Sequence, residues 1–143
     1  MLMLLKKASV LVVDDDADVL TAVRLLLRPQ VKEIVTEKNP EHIPSLLKQH
    51  SFDAVLLDMN FASSINTGNE GLFWLRKIKE LKSKAAVIMI TASGDIDLAI
   101  RSVKEGAFDF VVKPWHNERL LATLSDALSG KESSTRAADR SAN

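Results

Sequence analysis

The chain has 143 residues, of which 46% are hydrophobic and 27% charged, and its 19 basic side chains balance 19 acidic ones. This length suits a single domain, and the zero net charge argues against direct binding to nucleic acid. The absence of cysteine excludes disulfides, thiolate metal sites and cysteine nucleophiles. No apolar run is long enough to cross a membrane, and the apolar first residues precede Lys6 and Lys7, the reverse of a signal peptide. We therefore expect a cytoplasmic domain without membrane contact.

Short apolar runs alternate with helical patterns along most of the chain. Runs rich in Val and Ile, without polar alternation, are typical of strands buried on both faces of a parallel sheet. The predicted strands are, in chain order, 10–13, 31–36, 54–57, 85–90 and 108–112.

One helical pattern follows each predicted strand. Pro29 ends the first helix. Asn39 and Pro40 predict an N-cap and the first turn of the second, but Pro44 indicates that this helix begins late or is kinked. The fourth helix carries its apolar stripe on one face, and Leu98 falls off that stripe. The defining apolar positions are Leu20, Val23 and Leu27 for the first helix, Leu72, Leu75 and Ile78 for the third, Ile96, Ile100, Val103 and Ala107 for the fourth, and Leu120, Leu121, Leu124 and Leu128 for the fifth.

The repeated strand–helix order predicts an α/β fold. Because crossovers between parallel strands are right-handed, the five strands would form an open, doubly wound sheet with helices on both faces. Ligands of such sheets bind beyond the carboxyl ends of the strands. Four predicted strands end in polar side chains at this edge: Asp14 and Asp15 after the first, Asp58 after the third, Thr91 after the fourth and Lys113 after the fifth.

Three carboxylates at one edge indicate a metal site. Asp14, Asp15 and Asp58 would repel one another unless a hard cation lay between them, and Mg²⁺ needs only a few carboxylate ligands. With Lys113 and Thr91 nearby, the group suits a phosphoryl moiety, and the Asp58 carboxylate is the natural nucleophile because it can form an acyl phosphate. Two alternatives remain: the first acids are a solvated turn, or Asp16 is a further ligand rather than an N-cap.

In sequence, these motifs resemble those of response-regulator receiver domains. The resemblance covers residues 8–129 and implies a flavodoxin-like (βα)5 fold with strand order 2-1-3-4-5. It divides the chain into a receiver domain, 8–129, and a flexible tail or start of a linker, 130–143, which is rich in Ser, Ala and charged residues. The segments that carry it are Val-Val-Asp14-Asp15, Leu-Leu-Asp58, Ile-Thr91-Ala92 and Phe110-Val-Val-Lys113-Pro114.

The resemblance implies a phosphotransfer reaction at Asp58. A sensor histidine kinase would donate the phosphoryl group to this residue. Mg²⁺ would be held by Asp14, Asp15 and Asp58 together with the backbone carbonyl of Asn60. The chain would then need no other cofactor.

The resemblance also assigns a conformational switch to residues of the fourth and fifth predicted strands. Thr91 would bind a phosphoryl oxygen, Lys113 would pair with the same group, and Phe110 would turn inward as Thr91 moves. The peptide bond between Lys113 and Pro114 is expected to be cis, as is usual in the family. Positions that tune hydrolysis in the family are occupied here by Asn60, Ala92 and Ser93.

One segment departs from the family pattern. Phe61 and Ala62 replace the usual Met-Pro pair, and Gly71 arrives 13 positions after Asp58, several residues late. The inserted residues, 63–70, are polar and loop-like. They could contribute to kinase recognition or cover the site, but a surface loop without function is favoured, because long surface loops cost little free energy.

The runs around the fourth helix and fifth strand are most similar to receivers of enhancer-binding transcriptional activators. Such proteins carry an ATPase and a DNA-binding output domain, neither of which is present in this sequence; a stand-alone regulator is the alternative. A homodimer would use the fourth predicted helix, the fifth strand and the fifth helix. Whether Leu98 belongs to that surface is left open.

A second interpretation is an enzyme of the haloacid-dehalogenase type, which also uses Asp, Thr, Lys and an acid pair on a doubly wound sheet. Its nucleophile opens the chain in an Asp-x-Asp motif, and its acid pair comes last. Here Asp14 and Asp15 come first, and Asp58 is followed by Met59 and Asn60. The order of motifs favours a receiver, which is not an enzyme beyond autophosphorylation from phosphodonors and slow self-hydrolysis.

Overall fold

The computed structural model describes residues 2–61 and 70–130. Single turns of 3₁₀ helix, Pro40–His42 and Ser93–Asp95, precede the third and fifth α-helices. No helix in these two ranges is long and apolar enough to cross a bilayer. The helices are α1 (Leu2–Lys6), α2 (Ala17–Leu27), α3 (Ile43–Gln49), α4 (Glu70–Glu80), α5 (Ile96–Lys104) and α6 (Asn117–Ser129), and the strands are β1 (Ser9–Val13), β2 (Glu33–Glu37), β3 (Ala54–Asp58), β4 (Ala86–Ala92) and β5 (Asp109–Lys113).

The strands form one parallel sheet in the order β2-β1-β3-β4-β5. At its centre, Val12 lies opposite Leu56, and Leu56 lies opposite Ile88. All five residues of β3 are buried, as expected of a central strand covered on both faces. The predicted fold class and strand order are confirmed, and the carboxyl ends of β1, β3, β4 and β5 meet at one edge.

Each face of the sheet is covered by its own layer of helices. Helices α3, α4 and α5 pack on one face, and α1, α2 and α6 pack on the other. Because side chains alternate along a strand, β3 sends Val55 and Leu57 to the first layer and Ala54 and Leu56 to the second. The two layers bury most of the apolar residues that the helical patterns predicted in α2, α4 and α6: Leu20, Val23, Leu27, Leu72, Leu75, Ile78, Leu120 and Leu124. Leu121 and Leu128, also predicted, are partly buried against the second layer.

Helix α1 is an element that the sequence pattern did not predict. It packs against α6, and its Leu5 is only 3% exposed within the second layer. Five residues are too few to form a stable helix alone, so the tertiary contact is what holds α1 in place. The apolar core therefore begins before the first strand.

The second predicted helix begins late, as Pro44 indicated. The Asn39 side chain accepts a hydrogen bond from the Glu41 N–H and starts a 3₁₀ turn, and α3 follows from Ile43. Pro44 lies in the first turn of α3, where its missing N–H would have no helical partner in any case.

Helix α5 buries a different face from the one predicted. Ile96 and Ile100 are 37% and 36% exposed, whereas Leu98 is half-buried and packs against the first layer. The predicted stripe was therefore wrong at Ile96 and Ile100 but correct at Val103 and Ala107, which are buried. The placement of Leu98 off the buried face was wrong. The buried face contains the predicted Val103 together with Ala99 and Ser102, whose small side chains let the helix approach the sheet. The Ser102 hydroxyl donates to the Ala99 carbonyl, so this polar side chain is buried with its hydrogen bond made.

Gly71, which lies further from Asp58 in sequence than the family pattern predicts, is in close contact with the backbone of Met59. Its N–H donates to the Met59 carbonyl at 2.9 Å, and a Cβ at this position would lie 2.6 Å from the Met59 Cα. Phe61 is buried at the other end of the segment. The predicted insertion, 63–70, lies outside the described residues except for Glu70, which opens α4, and most of the predicted tail, 131–143, lies outside them as well.

Candidate functional site

The carboxyl edge of the sheet brings the predicted acids together. Asp14 follows β1 directly, and its N–H donates to the Glu37 carbonyl as a continuation of the β1–β2 pairing. Asp58 is the last residue of the neighbouring strand β3. Both side chains are buried, and Asp15 is partly exposed. These three residues, far apart in sequence, thus face one crevice because parallel strands end at the same edge.

The three carboxylates fit a divalent cation. Asp14, Asp15 and Asp58 each offer an oxygen, and these oxygens lie within 4.8 Å of one another. Oxygen donors with several negative charges are the ligands that Mg²⁺ and Ca²⁺ prefer. Asp16, by contrast, accepts a hydrogen bond from the Asp18 N–H and caps α2. This is the N-cap role that the sequence analysis favoured over a role as metal ligand.

Lys113 places its ammonium group between two of these acids. Its Nζ lies 3.0 Å from Asp14 Oδ2 and 3.4 Å from Asp58 Oδ1. Burial alone would lower the pKa of Lys113, but the charge of Asp58 and the hydrogen bond to Asp14 outweigh it and raise the pKa above its usual value. Lys113 therefore stays charged, and its peptide bond to Pro114 is cis, as predicted.

The carboxyl group of Asp58 is the most perturbed acid of the site. Burial and the neighbouring Asp14 raise its pKa from 3.8 to about 7, although Lys113 and the Asn60 N–H partly oppose the rise. A cation among the same oxygens would favour the ionised form. The site is thus electrostatically strained in a way that a bound cation relieves.

The two predicted switch residues lie nearby without completing the site. Thr91 is fully buried, and its hydroxyl donates to the carbonyl of the neighbouring Ala92 at 3.2 Å rather than to a carboxylate. Phe110 is half-buried and packs against the first helical layer. Asp14, Asp15, Asp58 and Lys113 are therefore in direct proximity, whereas Thr91 and Phe110 occupy the strands alongside.

One contact at this edge was missed by the sequence interpretation. The Asn60 side chain donates from Nδ2 to Asp95 Oδ2 at 2.6 Å, across the two loops that follow β3 and β4. Asp95 is at the N-cap position of α5 yet makes no side-chain cap. An Asp before a helix is a recognisable sequence signal for a cap. The contact of Asp95 with Asn60 leaves no such signal, because the two residues are 35 positions apart.

Comparisons with known proteins agree with this geometry. The family model described as response regulator receiver domain matches residues 10–125. A Bacteroides fragilis N-terminal signal receiver domain is 46% identical, with a TM-score of 0.78 over 86% of this chain and 98% of that one. The chemotaxis protein CheY of Bacillus subtilis is 30% identical over 83% of this chain and 96% of its own length.

Transcriptional regulators are also among the relatives. ZraR of Klebsiella oxytoca is 31% identical over 86% of this chain, which spans about a quarter, 27%, of that protein. The resemblance to receivers of enhancer-binding activators is thereby confirmed, and the receiver interpretation prevails over that of a phosphohydrolase. The chain belongs to the receiver-domain family of two-component response regulators.

Proposed function

We propose that Asp58 of this receiver accepts a phosphoryl group from a sensor histidine kinase and that the phosphorylated domain controls a transcriptional output. The observation that carries the proposal is the convergence of two further acids and one ammonium group on a carboxylate at the end of a buried strand. Phosphoryl transfer depends on this kind of positioning and charge neutralisation.

In the proposed reaction, an Asp58 carboxylate oxygen attacks the phosphorus of a phosphohistidine. A P–O bond forms, the P–N bond breaks, and the imidazole nitrogen keeps the electron pair. Water later cleaves the acyl phosphate and returns the carboxylate and inorganic phosphate. Self-phosphorylation from acetyl phosphate would form the same bond to Asp58, with a P–O bond broken instead and acetate leaving with the electron pair.

Asp14, Asp15, Asp58 and the backbone carbonyl of Asn60 would hold Mg²⁺. The cation would supply charge neutralisation for the nucleophile and the transferred group. Lys113 already pairs with both Asp14 and Asp58, and it remains within reach of a group added to Asp58. The three carboxylates alone would repel an incoming phosphoryl group, which is why this ammonium group matters.

The conformational signal would start at Thr91. A phosphoryl oxygen is a charged acceptor and forms a stronger hydrogen bond than the Ala92 carbonyl, to which the hydroxyl now donates. Thr91 would move towards Asp58, and Phe110, which is half-buried, would follow into the space left behind. A shift in α5 and β5 would pass the signal on.

The proposed output surface consists of α5, β5 and α6. A homodimer through these elements would bury Ile96 and Ile100, the exposed apolar residues of α5. We assign residues 8–129 to the receiver and residues 130–143 to a tail or the start of a linker. The kinase reaction would take place in the cytoplasm.

The test is incubation with acetyl phosphate, with and without Mg²⁺, followed by intact mass spectrometry. We expect one added phosphoryl group that requires both Mg²⁺ and Asp58, so Asp58→Asn and omission of the metal should each abolish it. Asp53→Asn is the control, because Asp53 is an exposed acid at the opposite edge of the sheet. Beryllofluoride should also change the fluorescence of Trp115, two residues after Lys113. An unmodified wild-type protein with unchanged fluorescence would refute the proposal.

A further inference from the structure

The side chains of Asn60 and Asp95, beside the proposed metal site, have no role in the reaction proposed above. The Asn60 side chain donates to Asp95 at 2.6 Å, and its other polar atom, Oδ1, is buried without a hydrogen-bond partner among the described residues. In this orientation of the amide, Nδ2 donates to a carboxylate oxygen and Oδ1 faces away from Asp95. A buried acceptor without a partner is uncommon in folded proteins and indicates a missing donor, such as water or a ligand.

Asp95 makes this contact at the expense of its own helix. It occupies the N-cap position of α5, where an Asp side chain ordinarily accepts a hydrogen bond from the first turn. Here no such bond forms, and the carboxylate reaches Asn60 instead. The contact therefore joins the residue two positions after Asp58 to the first turn of α5.

We propose that Asp95 is a positioning residue for the metal site: it fixes Asn60 from the start of α5, so that the Asn60 backbone carbonyl and the orphaned Oδ1 are presented to a cation and its bound water. This rests on the proposed function, since it takes the Mg²⁺ role of Asn60 from there. Residues that orient metal ligands contribute strongly to affinity although they do not touch the metal. The same contact makes metal binding depend on the conformation of α5.

The test compares Mg²⁺ affinity in three variants of the full chain. Asp95→Ala removes the acceptor, Asp95→Asn keeps an acceptor oxygen but loses the charge, and Asp97→Ala removes an exposed charge from the same helical turn. The readout is the rise of the thermal unfolding midpoint with added MgCl₂, which needs no phosphorylation. We expect Asp95→Ala to raise the Mg²⁺ dissociation constant roughly tenfold. Asp95→Asn and Asp97→Ala should change it less than about threefold.

A double-mutant cycle distinguishes positioning from general destabilisation. In an Asn60→Ala background, Asp95→Ala should have almost no further effect on Mg²⁺ affinity, because its partner is already gone. Equal affinities of Asp95→Ala and Asp97→Ala, or an undiminished effect of Asp95→Ala in the Asn60→Ala background, would overturn the inference. If Asp95→Ala does not fold, Asn60→Ala removes the same contact from its other side and leaves the backbone carbonyl in place. A roughly tenfold loss of Mg²⁺ affinity relative to Asp97→Ala then supports the inference, and an affinity equal to that of Asp97→Ala overturns it. A wild-type protein that binds no Mg²⁺ would refute the proposed function itself, a separate outcome.

Discussion

The strand β3 contains two kinds of buried residue with opposite effects on stability. Its first four residues, Ala54 to Leu57, are fully buried and apolar, and their removal from water stabilises the fold. Asp58, the fifth, is 4% exposed, and its raised pKa shows that burying its charge costs free energy. The comparison teaches that the interior of the sheet supplies stability, whereas its carboxyl edge is held in a strained state that a cation or phosphoryl group can use.

The largest effect is expected in the interior of the sheet. Leu56→Ala should lower the free energy of unfolding by about 4 kcal/mol, because Leu56 is fully buried in the second layer and its loss leaves a cavity. Urea denaturation measures this change. Leu25→Ala is the matched control, since Leu25 is 74% exposed, and it should stay within about 0.5 kcal/mol of the wild type. Similar losses in the two variants would contradict the comparison.

A second test concerns the point where the interior meets the carboxyl edge. Gly71→Ala should cost about 3 kcal/mol of unfolding free energy, because the added Cβ would collide with the Met59 backbone, which cannot easily move. Gly94→Ala offers the control, since no atom lies within 4 Å of a Cβ there. Thermal unfolding of both variants is the measurement, and a tolerated Gly71→Ala would show that the segment after β3 is held less tightly than described.

A third variant measures how far the stabilising interior extends beyond the sheet. Leu5→Ala should lower the unfolding free energy by about 2 kcal/mol, the lower end for a buried leucine, because α1 has only five residues and packs mainly against α6. Leu4→Ala, one position earlier and 42% exposed, should have little effect. Urea denaturation of the two variants is the measurement. Equal midpoints would show that burial of Leu5 in α1 does not contribute to stability.

The smallest expected change is a gain in unfolding free energy, and it concerns Asp58 at the carboxyl edge of the sheet. Because the folded-state pKa of Asp58 is raised, the folded protein binds an extra proton between about pH 4 and pH 7, so stability falls as the pH rises through this window. Asp58→Asn removes this charge and should stabilise the metal-free protein at pH 7.5 by about 1 kcal/mol, because loss of the ion pair with Lys113 offsets most of the roughly 4 kcal/mol that the pKa shift represents. Unfolding in EDTA across pH 4–8 tests it.

Two controls complete the pH experiment. Asp97→Asn, on the exposed side of α5, should leave the pH dependence of wild-type stability unchanged. Added MgCl₂ should stabilise the wild type more than Asp58→Asn, because the variant lacks one carboxylate of the cluster. An Asp58→Asn variant that is less stable than the wild type in EDTA would show that burial of Asp58 is not a source of strain.

The sequence predicted the elements whose signals are local. Continuous apolar runs identified the strands, because strands covered on both faces have few polar residues to interrupt them. Pro44 indicated the late start of α3, and Asp16 could be read as the cap of α2. The residues of the carboxyl edge were predicted from the same logic, since parallel topology alone brings Asp14, Asp58 and Lys113 together.

The sequence predictions failed where tertiary contacts, and not the local sequence pattern, determine which residues are buried. In α5, Ile96 and Ile100 satisfy a helical period, but so do Leu98 and Ser102, and only packing against the sheet selects the buried face. Helix α1 is too short to leave a helical signal and exists through its contact with α6. In both cases the energy of packing exceeds the preference of the local sequence.

The sequence by itself determined the fold class, the edge at which chemistry occurs and the acids and lysine that gather there, whereas the strand order was implied by the resemblance to receiver domains. It did so because hydrophobic periodicity and right-handed crossovers leave few arrangements for such a chain. Only the tertiary structure decided the protonation preference of Asp58, the bonds of Lys113 and the contact between Asn60 and Asp95. These depend on burial and on distances of a few ångströms between residues far apart in the chain, and electrostatic interactions change steeply over such distances.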